Sequence, residues 1–184
     1  PLCGVDNEKV SHVLHCPDTK AVAFASSQIT HHLAEELDRV ETEPKLADAI
    51  LSILQLWRSN AHIAPIQFHP SIRDILYQQA AIGWDNFVLG RWGPAWRVHQ
   101  DRYYSAIESR RTSRRWATAI ITKLLMIAWD LWQYRNSRLH APDGPRLRAI
   151  NTSLLADIAT EYALGPDTLV RSSRHLLTMR TQDE

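Results

Sequence analysis

Apolar positions recur at three- and four-residue spacing over most of this chain, the period of a helix with one buried face, and no run alternates as a half-buried strand does. Asp18 is placed to cap a helix from about Thr19 to Val40 that carries Phe24, Ile29, Leu33 and Leu37 on or near one face. Pro44, favourable in a first turn, opens a second helix in which Leu46, Ile50, Ile53, Leu54 and Trp57 recur, and the two make an αα-hairpin. The stretch 59–70 holds Pro65 and Pro70, cannot continue either helix, and is the best candidate for an internal boundary. Ser71 caps a third helix bearing Ile72, Ile75, Leu76, Ala80 and Phe87, with Gly83 in its middle, and Gly90 and Gly93-Pro94 punctuate the chain after it. A fourth helix is predicted from Pro94 to about Ser109. A fifth runs from about Ser113 to His140, stopped by Pro142-Asp143-Gly144-Pro145; at ~1.5 Å per residue it spans ~40 Å. Two shorter amphipathic segments, Leu147 to Tyr162 and Asp167 to Met179, flank Gly165-Pro166. The expected architecture is all-α, an irregular bundle of about six or seven helices over residues 19–184, after a short segment, 1–18, of different character.

Composition narrows this picture without redirecting it. With 184 residues and 45% hydrophobic content the chain can build a real core. Lys and Arg total 21 against 20 acidic residues, so the net charge of +1 supplies no global drive toward nucleic acid or anionic membrane, and any such binding must come from local clustering. No apolar run approaches the roughly 20 residues that span a bilayer, and the start has neither a basic nor an apolar leader region. The expectation is a soluble intracellular protein of the nucleus or cytoplasm, not secreted and without a membrane partner.

The two cysteines stand with a histidine in the order Cys3, His12, Cys16, a Cys-x8-His-x3-Cys pattern. Thiolate and imidazole are the ligands tetrahedral zinc prefers, and such a site normally has four, with a Cys-x2-Cys pair at one end. Three are visible, so a knuckle-like zinc segment over 1–18 is expected to be partial, and a cysteine immediately before Pro1 would complete it. His15, beside Cys16, is an imperfect substitute, because one backbone seldom aims two neighbouring side chains at one ion. A disulfide between the cysteines is the less favoured reading. With Gly4 after Cys3 and the run His12-Val13-Leu14-His15-Cys16-Pro17, the pattern resembles the zinc-binding segment that follows the polymerase domain in reverse transcriptases of non-LTR retroelements. Trp129-Asp130-Leu131-Trp132-Gln133-Tyr134-Arg135-Asn136, continuing to His140, is similar to the Trp-x2-Trp-x2-Arg-Asn helix that commonly lies C-terminal to such segments. The resemblance covers about a fifth of the chain by residue count. It implies the C-terminal region of such a polyprotein, with zinc as cofactor and nucleic acid as partner. No polymerase or ribonuclease H sequence accompanies it.

Local charge is concentrated on the fifth helix. Arg110, Arg111, Arg114 and Arg115 precede Trp116, and Lys123, Arg135 and Arg138 lie beyond it. Guanidinium forks match phosphate oxygens, so this patch can contact RNA or DNA backbone; the competing reading is a solvated helical start paired with Glu108, Asp101 or a neighbouring helix. Seven tryptophans are the other anomaly. Trp129 and Trp132 share a helix face near Ile120, Leu124, Ile127 and Leu131 and are expected to pack in the core. Trp92 and Trp96, beside Gly90, Arg91, Gly93 and Arg97 at a loop-to-helix junction, are the better candidates for stacking on bases, against a satellite core. Trp132, Asn136 and His140 recur at four-residue steps, and Asn136 is expected to bond a neighbouring helix terminus. His31, His32, Glu35 and Glu36 offer two metal ligands at most and are expected on an exposed polar face. Phosphate loops, dinucleotide fingerprints, metalloprotease motifs and nucleophile elbows are missing, and His140 has no local Cys or paired carboxylate. The reading is therefore non-catalytic: a nucleic-acid-binding accessory domain, or alternatively a helical protein-interaction or oligomerisation module, or an inactive enzyme fragment.

Overall fold

The structure, a computed structural model, describes residues 10–141 and 144–165, all helix, turn and loop without a strand among them. The predicted segment from Asp167 to Met179 lies outside the described residues, as does Cys3. Two units divide the described residues, one ending at residue 136 and the other beginning at residue 137, and the division falls within the longest helix among them. The stretch 59–70 is interior to the first unit, where Ile63 is buried in the core. No helix of the described residues is long and apolar enough to cross a membrane.

In the first unit, α1 (Val10–His15) is followed by Asp18, whose carboxylate accepts from the backbone N–H groups of Lys20 and Ala21 at 3.1 and 2.9 Å and so starts α2 (Thr19–Ser27). A π-helical turn, Gln28–Leu33, leads from α2 into α3 (Ala34–Arg39). The buried positions explain that turn. Ala21, Ala25, Ile29, Leu33 and Leu37 are each four apart, a spacing that drifts by about 40° per step around a straight helix of 3.6 residues per turn. A wider turn in the middle returns the later members to the core side.

The chain reverses through Glu41, at φ 52°, and Glu43 caps α4 (Pro44–Arg58), accepting from the Leu46 N–H at 2.7 Å. Helix α4 buries Leu46, Ala49, Ile50, Ile53 and Leu54. After two short 3₁₀ turns the single helix expected across Gly83 is two, α5 (Arg73–Ile82) and α6 (Trp84–Val88). Gly83 sits at φ 101°, a conformation that ends α5 and that other residues reach only with strain. Next come α7 (Pro94–Ala106) and α8 (Ser113–Leu139). Gly90 lets the α6–α7 loop approach α8, since a Cβ there would stand 2.6 Å from a methyl of Ile121.

Hydrogen bonds from four buried side chains fix this arrangement. Gln79 accepts from the Gly93 N–H and the Trp96 indole N–H, both at 3.1 Å, and donates to the carbonyls of Gly83 and Arg91. Gln100 accepts from the Glu43 N–H and donates to Glu41 O, tying α7 to the α3–α4 turn. Tyr104 donates to Val40 O, and the Trp116 indole donates to Thr42 Oγ1 at 2.9 Å. Each satisfies groups whose burial without a partner would cost about 1–3 kcal/mol.

The second unit contains α9 (Pro145–Leu164), begun by Pro145 and ended at Gly165, at φ 78°. No residue of α9 is buried, and Leu147, Ile150, Leu154 and Leu155 are exposed along it.

Candidate functional site

Helix α8 carries most of the residues singled out by sequence. Arg110 and Arg111 lie in the loop ahead of it and Arg114 and Arg115 in its first turn, all four exposed. The positive dipole end is already occupied: Asp101 of α7 accepts from the Ser113 N–H at 3.0 Å and from its hydroxyl at 2.7 Å. Any affinity for anions here therefore rests on the guanidinium groups. One of them is engaged, since Arg111 Nε lies 3.2 Å from Glu41 Oε2, an oxygen that also accepts from the Ser109 hydroxyl at 2.9 Å. Lys123 is half-buried and belongs to another neighbourhood. Arg39 hydrogen-bonds Glu36 at 2.7 and 2.5 Å and holds that carboxyl below its ordinary range, with Lys123 close enough to add to the effect.

At about 100° per residue, Arg114, Thr118, Leu125, Trp129 and Trp132 fall within an arc of roughly 60°. The arc lies away from buried Trp116, Ala117, Ile120, Leu124, Ile127 and Leu131. Leu125, Met126, Trp129 and Trp132 are 51, 55, 57 and 41% exposed. The two indoles lie against each other with ring centroids 5.0 Å apart and planes inclined by 31°. The outer face of α8 thus passes from arginines to an aromatic pair.

This reverses the expected roles of the tryptophans. Trp129 and Trp132 are not core residues, because the buried stripe of α8 runs through Ile120, Leu124, Ile127 and Leu131 on the other side of the helix. Trp96 is not a stacking platform: it is fully buried, with its N–H on Gln79. Trp92 is half-buried and lies parallel to Phe87 at 4.8 Å and 4°, its N–H donated to Phe87 O and its ring also against Trp96 and Trp116. Leu125 and Met126 were missed by sequence reasoning, although the same helical-wheel arithmetic that buries Leu124 and Ile127 leaves them outside.

The end of the Trp-x2-Trp-x2-Arg-Asn motif is built differently from expectation. Asn136 accepts from its neighbour Arg135 at 2.9 Å, not from a helix terminus, and Tyr134 stacks on Phe24 with centroids 4.5 Å apart. His140, just past α8, is exposed and belongs to the second unit.

Of the zinc-ligand candidates, His12 is half-buried on α1 and Cys16 is buried just beyond it. The segment expected to be knuckle-like therefore contains a helix. His15 is committed elsewhere: its ring lies 4.2 Å from that of Trp57 and its Nδ1 is 3.3 Å from Arg58 O. Arg58 donates to the carbonyls of Ala21 and Val22; burial draws its guanidinium below its ordinary value, and the nearby Cys16 sulfur works against that. Among the described residues no group of three His, Cys, Asp or Glu side chains is gathered to hold a metal. His32 is 3.8 Å from Glu35, and Glu36 is turned to Arg39, so these residues do not converge on one ion.

No protein-family model, no curated protein and no solved structure matches the chain.

Proposed function

We propose that the chain is a non-catalytic accessory domain that binds single-stranded RNA or DNA along the outer face of α8, and that it derives from the C-terminal region of a non-LTR retroelement reverse transcriptase. The observation that carries the reading is the alignment of exposed arginines and an exposed tryptophan pair on one rigid helix, with Arg114 and Trp129 about 22 Å apart along it. Guanidinium groups bind phosphates without reading sequence, and indoles stack on unpaired bases of any identity. The residues that resemble the retroelement motif include this same pair.

Thiolate and imidazole donors suit zinc as an ordering element of the N-terminal segment, where Cys3, His12 and Cys16 would hold it. When bound it would supply structure and no reaction chemistry. His15 takes no part, so His12→Ala should weaken zinc at least about tenfold in a competition titration while His15→Phe leaves it nearly unchanged. The reverse order would remove His12 from the site.

Exposed Leu125, Met126, Trp129 and Trp132 also favour a second reading, a helical module that meets a protein partner or a second copy through α8. Fluorescence anisotropy with labelled single-stranded RNA and DNA, alongside light scattering, separates the two. Salt-sensitive binding by a monomer supports the first reading; a dimer indifferent to oligonucleotide supports the second.

A further inference from the structure

Away from α8, the first unit holds a cleft of about 750 Å³, a size typical of small-ligand sites. Its lining includes the rings of Trp57, Trp84 and His15, the apolar side chains of Leu14 and Val88, and the carboxylate of Asp85. Asp85 is the charged side chain of that lining, which contains no lysine, arginine or glutamate. The Trp57 indole N–H donates to Asp85 Oδ1 at 2.7 Å, while the His15 ring leans on Trp57 at 4.2 Å, tilted by 56°. Trp84 is braced edge-on by Phe87, with centroids 6.1 Å apart. The rings are thus held by packing before any ligand arrives, which lowers the ordering cost of binding.

We propose that this cleft binds an organic cation, an alkylated ammonium group that rests on the indole of Trp57 or Trp84 and is neutralised by Asp85. The combination is specific in its chemistry. Asn60 and Asn86 complete a lining that is otherwise largely aromatic and aliphatic, which disfavours a hydrated metal ion, and a carboxylate with no lysine or arginine beside it in that lining repels a phosphate and attracts positive charge. A quaternary ammonium needs no hydrogen-bond acceptor, so the shared use of Oδ1 by Trp57 is compatible with holding it. The site is independent of the nucleic-acid reading, since none of its residues is on α8.

Calorimetric titration of the whole chain with choline, and in parallel with its neutral isostere 3,3-dimethylbutan-1-ol, tests the charge requirement without altering the protein. Asp85 is exposed and the two indoles half-buried, so choline should bind about two- to fivefold more tightly, the order of a cation–π contact at a solvent-accessible site. Asp85→Asn retains an acceptor for Trp57 and removes the charge, so it should bring choline down to the level of the isostere with an unchanged melting temperature. A peptide carrying trimethyllysine, if it exceeds choline, assigns the cation to a modified side chain; weaker binding than choline assigns it to a free small molecule. Equal binding of choline and isostere, no binding of choline, or tighter binding of adenosine than of choline overturns the proposal.

Discussion

The two tryptophan groups of the first unit make opposite use of the same side chain. Around Phe87, the indoles of Trp92, Trp96 and Trp116 close on one another, and their N–H groups are matched to Phe87 O, Gln79 Oε1 and Thr42 Oγ1. On α8, Trp129 and Trp132 touch each other and open to solvent. The lesson is that a buried indole needs an acceptor. Gln79 supplies one 17 residues away from Trp96, and nothing in the local spacing around Trp96 announces it. The exposed pair has water for its N–H groups and is free to meet a ligand.

This contrast can be broken most strongly at the buried group. Trp96→Ala should cost about 3–5 kcal/mol of stability in denaturant unfolding, the usual loss for a fully buried aromatic. Gln79→Ala should cost about 2–4 kcal/mol, because it strands the Gly93 and Trp96 N–H groups in the core. A loss below about 1 kcal/mol in either would place the cluster at the surface. The paired change Trp129→Ala with Trp132→Ala should leave stability within about 1 kcal/mol and instead weaken single-stranded oligonucleotide binding by about thirtyfold or more, since each stacked base contributes about 1–3 kcal/mol. A smaller effect is spectroscopic: acrylamide should quench Trp129 and Trp132 more readily than buried Trp96 and Trp116, and changing both to Phe should lower the quenchable fraction of the fluorescence.

The helices were legible because their signals are local. Asp18 and Pro44 mark their starts, and the recurrence of Leu46, Ile50, Ile53 and Leu54 along α4 fixes its buried face. The break at Gly83 was missed because a single glycine inside a periodic run costs only about 1 kcal/mol against alanine and does not dictate a break by itself. Gln79 and Asn86, whose side chains bond the backbone on either side, decide it. Arg110, Arg114 and Arg115 were readable as an exposed basic patch, whereas the tie between Arg111 and Glu41 spans 70 positions and depends on how α7 and the α3–α4 turn meet. Trp57, Asp85 and His15 likewise come together only through the tertiary fold.

The central claim, that the outer face of α8 binds phosphates at its arginine end, is tested most directly by the salt dependence of oligonucleotide binding. Each phosphate neutralised on a single strand contributes about 0.7 to the slope of log affinity against log salt. With Arg111 held by Glu41, changing Arg110, Arg111, Arg114 and Arg115 together to Ala should flatten that slope by about two units while helicity is retained. An unchanged slope in a folded quadruple variant would contradict the account and leave the face of α8 to a protein partner.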